Sequence, residues 1–534
     1  GTGGVTKLGA GALEFSGISA NIFSGLTTVT AGKLLLNKTP STNSIAGNIL
    51  INGGQLELCS SNQISDSSLL TLDGGTFEMN SNNEDIDSFV FNSGTLLQSG
   101  STLTLLNATT ALTMRNTTIS GDIALTAGGD IDFDLTNNGT ATISGGVSLA
   151  APTVFNIPSG SADIDMDISG PISGLASIEK AGTGALLFTG ANSYSGGTTI
   201  TSGRLQGDTI GLQGSISNES ELVFDQNFDG IYAGAMTGTA GTFVKQGTGL
   251  LNLTNTNSIG GLTTVADGIL AVNGSLSGIG GLTVAASGTL QGEGPITKDM
   301  VLFGKLAPGN SIGTITLIGD QIFAAGSILE NELNPSISDL VDITGSLTIQ
   351  PGAALSLLPE PANYESSFTV TMVQTTMGVF GTFSNVSASL PLFSGSVVYT
   401  PTTILLHGGF LPIFDLINTG NAGSIAKCIK DLPKPTGSDL AFVVNEIRNL
   451  TTVEDIQNAM IQLQPSAFTS LSIAAQDDVI YLRNAIFNHL DEQALPYCSK
   501  YNCWKLWGTV FGAQTSQHSQ NQEPGFRASS PGGF

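Results

Sequence analysis

The sequence predicts an all-β protein whose main part is a right-handed parallel β-helix, a solenoid in which each coil of chain stacks on the one before. A short pattern of glycine, polar residue and apolar residue recurs at intervals of roughly 20 residues. Strand-like segments with alternating apolar and polar residues lie between these glycines, and such alternation sends side chains to opposite faces. The period is too short for propeller blades or helix-pair repeats and fits one coil of a parallel β-helix.

The clearest copies of the pattern are two hexapeptides. GGQLEL at Gly53–Leu58 returns one period later as GGTFEM at Gly74–Met79. Stacking of the coils should place Leu56 on Phe77 in the interior and one glutamate beside the other outside. Glycine at the corner permits a turn that other residues resist. The second glycine of the pattern occurs at Gly32, Gly54, Gly75 and Gly94.

The charge of the chain is strongly acidic and unevenly distributed. The net charge is −25, and residues up to 410 carry 9 Lys and Arg against 31 Asp and Glu. From residue 411 onward the numbers are 8 and 11. The acidic first part should repel nucleic acid, so no nucleic-acid partner is expected. The change in charge density near residue 410 predicts a domain boundary there.

A longer unit of about 30 residues is superposed on this period. Three segments share the pattern Lys-x-Gly-x-Gly-x-Leu-x-apolar, namely Val5–Phe15, Ile178–Phe188 and Phe243–Leu253. Each is followed by a segment with paired threonines and then a glycine, as in SGLTTVTAGKL after the first. In these residues the chain resembles the passenger of a bacterial autotransporter, the type V secretion family. The resemblance places passenger-associated transport repeats near residues 5–36, 178–206 and 243–272.

The resemblance implies a domain organisation. Residues 1–410 would be the β-helical passenger, with coils at about 300–410 acting as the folding nucleus. Residues 411–500 would be an α-helical linker, because one helical face is apolar from Phe468 to Leu490 at spacings of 3 and 4. Residues 501–534 resemble the first strands of an outer-membrane β-barrel, which is incomplete here.

The resemblance also implies a function and a location. The passenger would be a structural stalk or an adhesin-like surface, exported through its own barrel to the outside of the bacterial outer membrane. Expected partners are the outer membrane and its assembly machinery, and no residue identifies a receptor. No cofactor is expected. The alternative is a β-helical lyase or hydrolase that acts on polysaccharide at the cell surface.

One segment matches the nucleophile pattern of hydrolases. Gly309–Gly313 reads Gly-x-Ser-x-Gly, with Ser311 as the nucleophile. That pattern carries catalysis only on a strand–turn–helix joint with a histidine and an acid at hand. Here strands are predicted on both sides, and the nearest histidine in the sequence is His407. We therefore interpret the segment as a turn between coils, and the sequence predicts no catalytic residue.

Two acidic ladders are the candidate metal sites. Alternation would place the three aspartates of each ladder on one face. Three carboxylates in a row could bind Ca²⁺, could serve a lyase-like site, or could form a solvated outer face that discourages lateral sheet pairing. The ladders are Asp130, Asp132 and Asp134, and Asp163, Asp165 and Asp167.

Two cysteines lie close together near the end of the chain. Cys498 and Cys503 could form a small-loop disulfide in an oxidising compartment, which is the favoured interpretation. A zinc site would need two further ligands, and His489 and His518 flank the pair only loosely.

Overall fold

The computed structural model describes residues 1–134, 136, 139–362, 367–432, 434, 438–463, 510–517 and 526–533. Most of these residues form short strands that pair in parallel with strands about one coil further along the chain, and helices follow after residue 412. The predicted parallel β-helix is therefore confirmed.

The strands of the β-helix are short, and their bounds follow in chain order. The first group comprises Val5–Lys7, Ala12–Gly17, Thr27–Val29, Lys33–Lys38, Ile49–Ile51, Gln55–Leu58, Leu69–Asn80, Glu84–Ile86, Ser88–Gln98, Thr102–Leu105, Thr110–Met114, Thr118–Ile119, Asp122–Leu125, Asp130–Phe133, Ala141–Ile143, Val147–Leu149, Thr153–Asn156, Met166–Ile168 and Ile172–Gly174. The second comprises Ile178–Ala181, Ala185–Phe188, Thr198–Ile200, Arg204–Gly207, Ile216–Asn218, Glu221–Asp225, Gly230–Tyr232, Met236–Gly238, Thr242–Gln246, Leu250–Leu253, Thr256–Ile259, Thr263–Val272, Ser275–Ser277, Leu282–Gly292, Ile296–Thr297 and Met300–Leu302. The third comprises Lys305–Pro308, Thr314–Ile318, Gln321–Phe323, Ile328–Leu333, Leu340–Thr344, Ser346–Ile349, Ala354–Pro359, Phe368–Thr375, Gly378–Phe380, Asn385–Ala388, Phe393–Tyr399 and Thr403–Phe410.

The register of the strands reproduces the sequence period. In the first coils, each strand pairs in parallel with the equivalent strand of the following coil. The residues that pair in succession are Val5, Thr27, Ile49, Leu70 and Phe89. The separations between these partners match the intervals of the glycine pattern. The coils become longer near the end of the β-helix, where Val341 pairs with Val373.

The interior is built as the alternation predicts. Leu56 pairs with Phe77 and Glu57 with Glu78, and the two apolar side chains are buried. One continuous apolar cluster runs from Val29 to Leu406 along the β-helix. Burial of these side chains is the main favourable term that holds the coils together.

The glycines of the period form a column at one corner. A Cβ added to Gly54 would meet the carbonyl oxygen of Gly32, and a Cβ added to Gly75 would meet that of Gly54. Gly94 stands in the same relation to Gly75. The corner therefore requires glycine because successive coils approach each other there at backbone distance.

The C-terminal end of the β-helix is closed by antiparallel strands. Thr403–Phe410 pairs with Phe368–Thr375 on one side and with Phe393–Tyr399 on the other. Leu392 and Phe410 contact an apolar cluster of the helices that follow. Those helices are Ile413–Leu416, Gly420–Asp431, Asp439–Arg448 and Val453–Gln462.

Several expectations fall on the last part of the chain. The apolar helical face from Phe468 to Leu490 and the cysteines Cys498 and Cys503 lie outside the described residues. Val510–Gln517 and Phe526–Gly533 form an antiparallel pair of strands. That these strands begin an outer-membrane barrel stays a prediction, as do the domain boundaries.

Candidate functional site

The three repeats share a buried lysine that sequence reasoning did not place in the interior. Lys7, Lys180 and Lys245 have exposed fractions of 5%, 0% and 0%. Each lies on a short strand, on the side that faces the interior, just before a turn with a glycine of positive φ. A lysine is rarely buried without a partner, so the surroundings of each ammonium group must compensate for the lost water.

Backbone carbonyl groups supply that compensation around Lys180. Its Nζ donates hydrogen bonds to the carbonyl oxygens of Ala181 at 2.8 Å and Gly182 at 2.7 Å, in its own turn. It donates a third to Ser202, at 3.2 Å, which lies one coil further along the chain. We call a lysine with three such acceptors a lysine clamp, because its hydrogen bonds join two coils.

The same arrangement recurs in the other two repeats. In each, two acceptors follow the lysine directly and the third comes from the next coil, 22 or 24 residues away. The acceptors of Lys7 are the carbonyl oxygens of Leu8 (3.3 Å), Gly9 (2.7 Å) and Ala31 (2.8 Å), and those of Lys245 are Gln246 (3.0 Å), Gly247 (2.7 Å) and Asp267 (3.0 Å).

A glycine after the third acceptor makes room for each ammonium group. Gly203 has a φ of +70°, and a Cβ added there would lie 2.7 Å from Nζ of Lys180. The same Cβ would meet the carbonyl oxygens of Gly182 and Gly184. Gly32 and Gly268 stand in the same relation to Lys7 and Lys245. The lysine and the distant glycine of the repeat are therefore two parts of one packing arrangement.

Burial shifts the pKa of two of the clamp lysines. It lowers the pKa of Lys180 to about 8, and the charge of Asp165 opposes that shift. Burial also lowers the pKa of Lys245 to about 8, against the charges of Asp267 and Asp225. Both side chains therefore stay protonated at neutral pH. A hydrogen bond to a charged group contributes roughly 1.5–3 kcal/mol, so a clamp is a substantial link between two coils.

The first acidic ladder lies partly on the outer surface. Asp130 and Asp132 belong to the strand Asp130–Phe133 and are half-buried, while Ile131 and Phe133 point inward. Burial raises the pKa of Asp130, and Asp132 and Glu179 raise it further. Asp134 follows the strand and accepts a hydrogen bond from Nε of Arg115 at 2.9 Å.

The expectation of a common face is wrong for the second ladder. Asp165 is only 1% exposed, and its carboxylate accepts hydrogen bonds from the backbone N–H of Gly160 and Ala185. The strand begins only at Met166, so strand alternation does not extend back to Asp165. Asp163 is exposed and Asp167 half-buried. In the described part of the chain, no group of three or more His, Cys, Asp or Glu residues is arranged to hold a metal ion.

The Gly-x-Ser-x-Gly segment forms a pinched loop between strands. Gly309 and Gly313 are in contact, since a Cβ added to either would lie 2.9 Å from the other's Cα. Ser311 lines a small cleft of about 130 Å³ beside this loop. The cleft is lined by Gln291, Ala307, Pro308, Gly309, Asn310, Ser311, Glu330, Glu332 and Asp339.

Asp339 anchors that loop to the neighbouring coil. Its carboxylate accepts hydrogen bonds from the N–H of Gly313 at 2.8 Å and of Glu332 at 2.7 Å. Burial raises the pKa of Asp339 to about 7. The two hydrogen bonds oppose this rise in pKa, and the negative charges of Glu332 and Glu330 add to it. His407, the histidine in the described part of the chain, shares a hydrogen bond of 2.7 Å with Thr369. The cleft lining contains no histidine to activate Ser311.

Comparison with known proteins identifies the repeats. The model of the passenger-associated-transport-repeat family matches residues 5–36, 178–206 and 243–272, which are the three segments that carry the lysine clamps. An alignment 166 residues long, which covers 26% of this chain, is 32% identical to the adhesin BmaC autotransporter of Brucella suis biovar 1 (strain 1330). An alignment 203 residues long, which covers 36% of this chain, is 31% identical to an extracellular serine protease of Serratia marcescens.

The matched regions span only 5% of the adhesin and 19% of the protease. Within the described residues, no helix has both the length and the apolar character needed to cross a membrane. The repeats lie in a parallel β-helix, and their shared lysines are buried beside glycines of the next coil. The chain is a bacterial autotransporter passenger that carries three passenger-associated transport repeats.

Proposed function

We propose that this passenger is displayed on the outer surface of a bacterium, where it acts as a stalk with an adhesin-like surface. The observation that carries the proposal is the position of the repeat residues. The lysines that define the repeats are buried and join coils, and the repeat glycines allow the coils to approach at their corners, so the repeats serve the architecture of a rod. The adhesin among the similar proteins supports the adhesive part of the proposal.

The charges of the β-helix support a binding role rather than a catalytic one. All nine Lys and Arg residues up to residue 410 lie in the described part of the chain. Lys7, Lys38, Lys180, Lys245 and Lys298 are buried. Lys33, Arg115 and Lys305 pair with carboxylates, and Arg204 donates to the carbonyl oxygen of Asp163.

The outer surface of the β-helix is therefore acidic, and three of its four basic side chains already pair with carboxylates. Such a surface repels nucleic acid and anionic lipid, so its partners are proposed to be neither. A polysaccharide lyase would need basic and acidic groups together in a groove, and the compensated bases do not provide that combination.

Display can be tested on intact cells of the source bacterium with antibodies raised against residues 1–410. Antibody binding without permeabilisation, and loss of that binding after brief treatment with external protease, are the expected results. A periplasmic protein used as control should stay protected from both reagents. Binding that requires permeabilised cells would exclude surface display. A deletion strain that adheres to host cells and abiotic surfaces as well as the parent does would exclude the adhesive role.

A further inference from the structure

A fourth buried lysine lies outside the three repeats. Lys298 is 3% exposed and lies between the strands Ile296–Thr297 and Met300–Leu302. Its Nζ donates hydrogen bonds to the carbonyl oxygens of Ile259 at 2.8 Å, Gly280 at 2.8 Å and Gly261 at 3.3 Å. No sequence motif marks this residue, because it belongs to none of the repeats.

The acceptors of Lys298 belong to two different coils. Thr263 pairs with Leu282, and Leu282 pairs with Met300, so these residues mark three successive coils. Ile259 and Gly261 precede Thr263, Gly280 precedes Leu282, and Lys298 precedes Met300. The bond from Lys298 to Ile259 therefore spans 39 residues and crosses the coil between them. The clamps of the repeats reach only the adjacent coil.

A hydrogen bond that spans two coils changes how the stability of a solenoid depends on its coils. In most solenoids each unit contacts only its neighbours, so stability is a sum of unit terms and nearest-neighbour terms. A bond between next-nearest coils adds a term that is lost when either outer coil detaches. We propose that Lys298 is a three-coil lock, which makes residues 256–302 open and close as one cooperative unit.

The close packing at this corner fits that role. A Cβ added to Gly280 would meet the backbone of Gly261, so the two coils already touch where the ammonium group enters. If the coil with Ile259 and Gly261 detached, the ammonium group would keep one of its three acceptors. Detachment of that coil alone would break two hydrogen bonds of the charged group and is therefore disfavoured. Burial lowers the pKa of Lys298 to about 8, and the side chain is protonated at neutral pH.

Native-state hydrogen exchange of the purified chain at pH 7, read by mass spectrometry, tests the lock. In the wild type, amides of 256–262, 275–284 and 300–302 should exchange through openings of equal free energy, and the three values should stay equal as denaturant is added. In Lys298→Met, which keeps the aliphatic stem, amides of 256–262 should exchange on the order of tenfold faster than those of 300–302. Lys305→Met, which removes only a partly exposed ion pair with Glu330, should keep the three values equal.

Two outcomes would overturn the proposal. Unequal free energies of opening among the three coils of the wild type would show that they are not a unit, and this measurement does not depend on a folded variant. Equal values in a folded Lys298→Met variant would show that the unit does not need the ammonium group. Both outcomes are independent of cell-surface display, because the measurement uses the isolated chain.

Discussion

The ammonium nitrogen of Lys180 lies 3.2 Å from the carbonyl oxygen of Ser202, 22 residues further along the chain. The next residue, Gly203, has no side chain to occupy the space that the ammonium group fills. The contact of Lys180 with Ser202 and Gly203 explains why a lysine and a distant glycine recur together in each repeat.

Gly203→Ala should destabilise the protein strongly. The added methyl group would lie 2.7 Å from Nζ of Lys180, and a φ of +70° is strained for alanine. We expect a loss of roughly 2–4 kcal/mol in the free energy of unfolding, measured by denaturant titration. Gly326→Ala is the matched control, because φ is +86° there and an added Cβ meets no described atom within 4 Å. Equal losses in the two variants would mean that strain alone, and not the clamp, requires Gly203.

Removal of a clamp ammonium should cost more than removal of a surface charge. Lys245→Met keeps the stem and leaves three carbonyl oxygens without their donor, so we expect a loss of about 1–3 kcal/mol in the free energy of unfolding. Lys33→Met removes a partly exposed ion pair with Glu57 and should cost less than about 1 kcal/mol. Denaturant titration of both variants measures these losses. A larger loss in the free energy of unfolding for Lys33→Met than for Lys245→Met would contradict a stabilising role of the lysine clamp.

The stability of the protein should fall as the pH rises from about 4.5 to about 8. Burial raises the pKa of Glu84 to about 8, while hydrogen bonds from the N–H of Gln63 and Ile64 oppose the shift and Asp85 and Asp66 add to it. In that window the folded protein keeps a proton that the unfolded chain releases, so the free energy of unfolding decreases with pH. The raised pKa of Asp339 also makes the free energy of unfolding decrease with rising pH, up to about pH 7.

The expected loss over this window is of the order of a few kcal/mol. Denaturant titrations between pH 4.5 and 8 measure it, and Glu84→Gln should flatten the dependence. Above pH 8 the clamp lysines reverse the trend, since Lys180 and Lys245 have folded pKa values of about 8 against an ordinary 10.5. The unfolded chain then holds the extra protons, so a stability minimum near pH 8 is expected. A stability maximum near pH 8 would contradict both the raised pKa of Glu84 and the lowered pKa values of Lys180 and Lys245.

Calcium should not raise the melting temperature. Asp134 is paired with Arg115, and Asp165 bonds to backbone N–H groups, so neither ladder presents three carboxylates to one ion. A ligand that binds only the folded protein would stabilise it by mass action. Thermal unfolding with and without millimolar calcium is the measurement. A calcium-dependent rise that disappears in Asp132→Ala would show that the first ladder is a calcium site.

Residues 300–410 should be the most protease-resistant part of the chain. The antiparallel strands Phe368–Thr375 and Thr403–Phe410 close this end and bury apolar side chains, so it can form a local core. Limited proteolysis in partially denaturing conditions should leave this segment, and Val370→Asp should reduce export more than Ile143→Asp, although both residues are buried. Survival of 1–150 with early digestion of 300–410 would place the nucleus elsewhere.

Some features could be predicted from the sequence because they depend on neighbouring residues. Alternation of side chains along a strand is local, so the interior position of Leu56 and Phe77 followed from the pattern of each hexapeptide. The glycine period was equally readable, because each coil needs a similar turn. The same reasoning failed at Asp165, since the strand that would have carried the alternation begins one residue later, at Met166.

The sequence by itself determined the coil period, the repeats and the acidic charge of the β-helix. Only the tertiary structure decided that the lysines of the repeats lie inside, because a lysine in isolation favours water. Their burial depends on carbonyl groups 22 or 24 residues away, which reach the ammonium only when coils stack in register. Lys298 shows this most clearly, since its acceptors come from two other coils and no local pattern marks it.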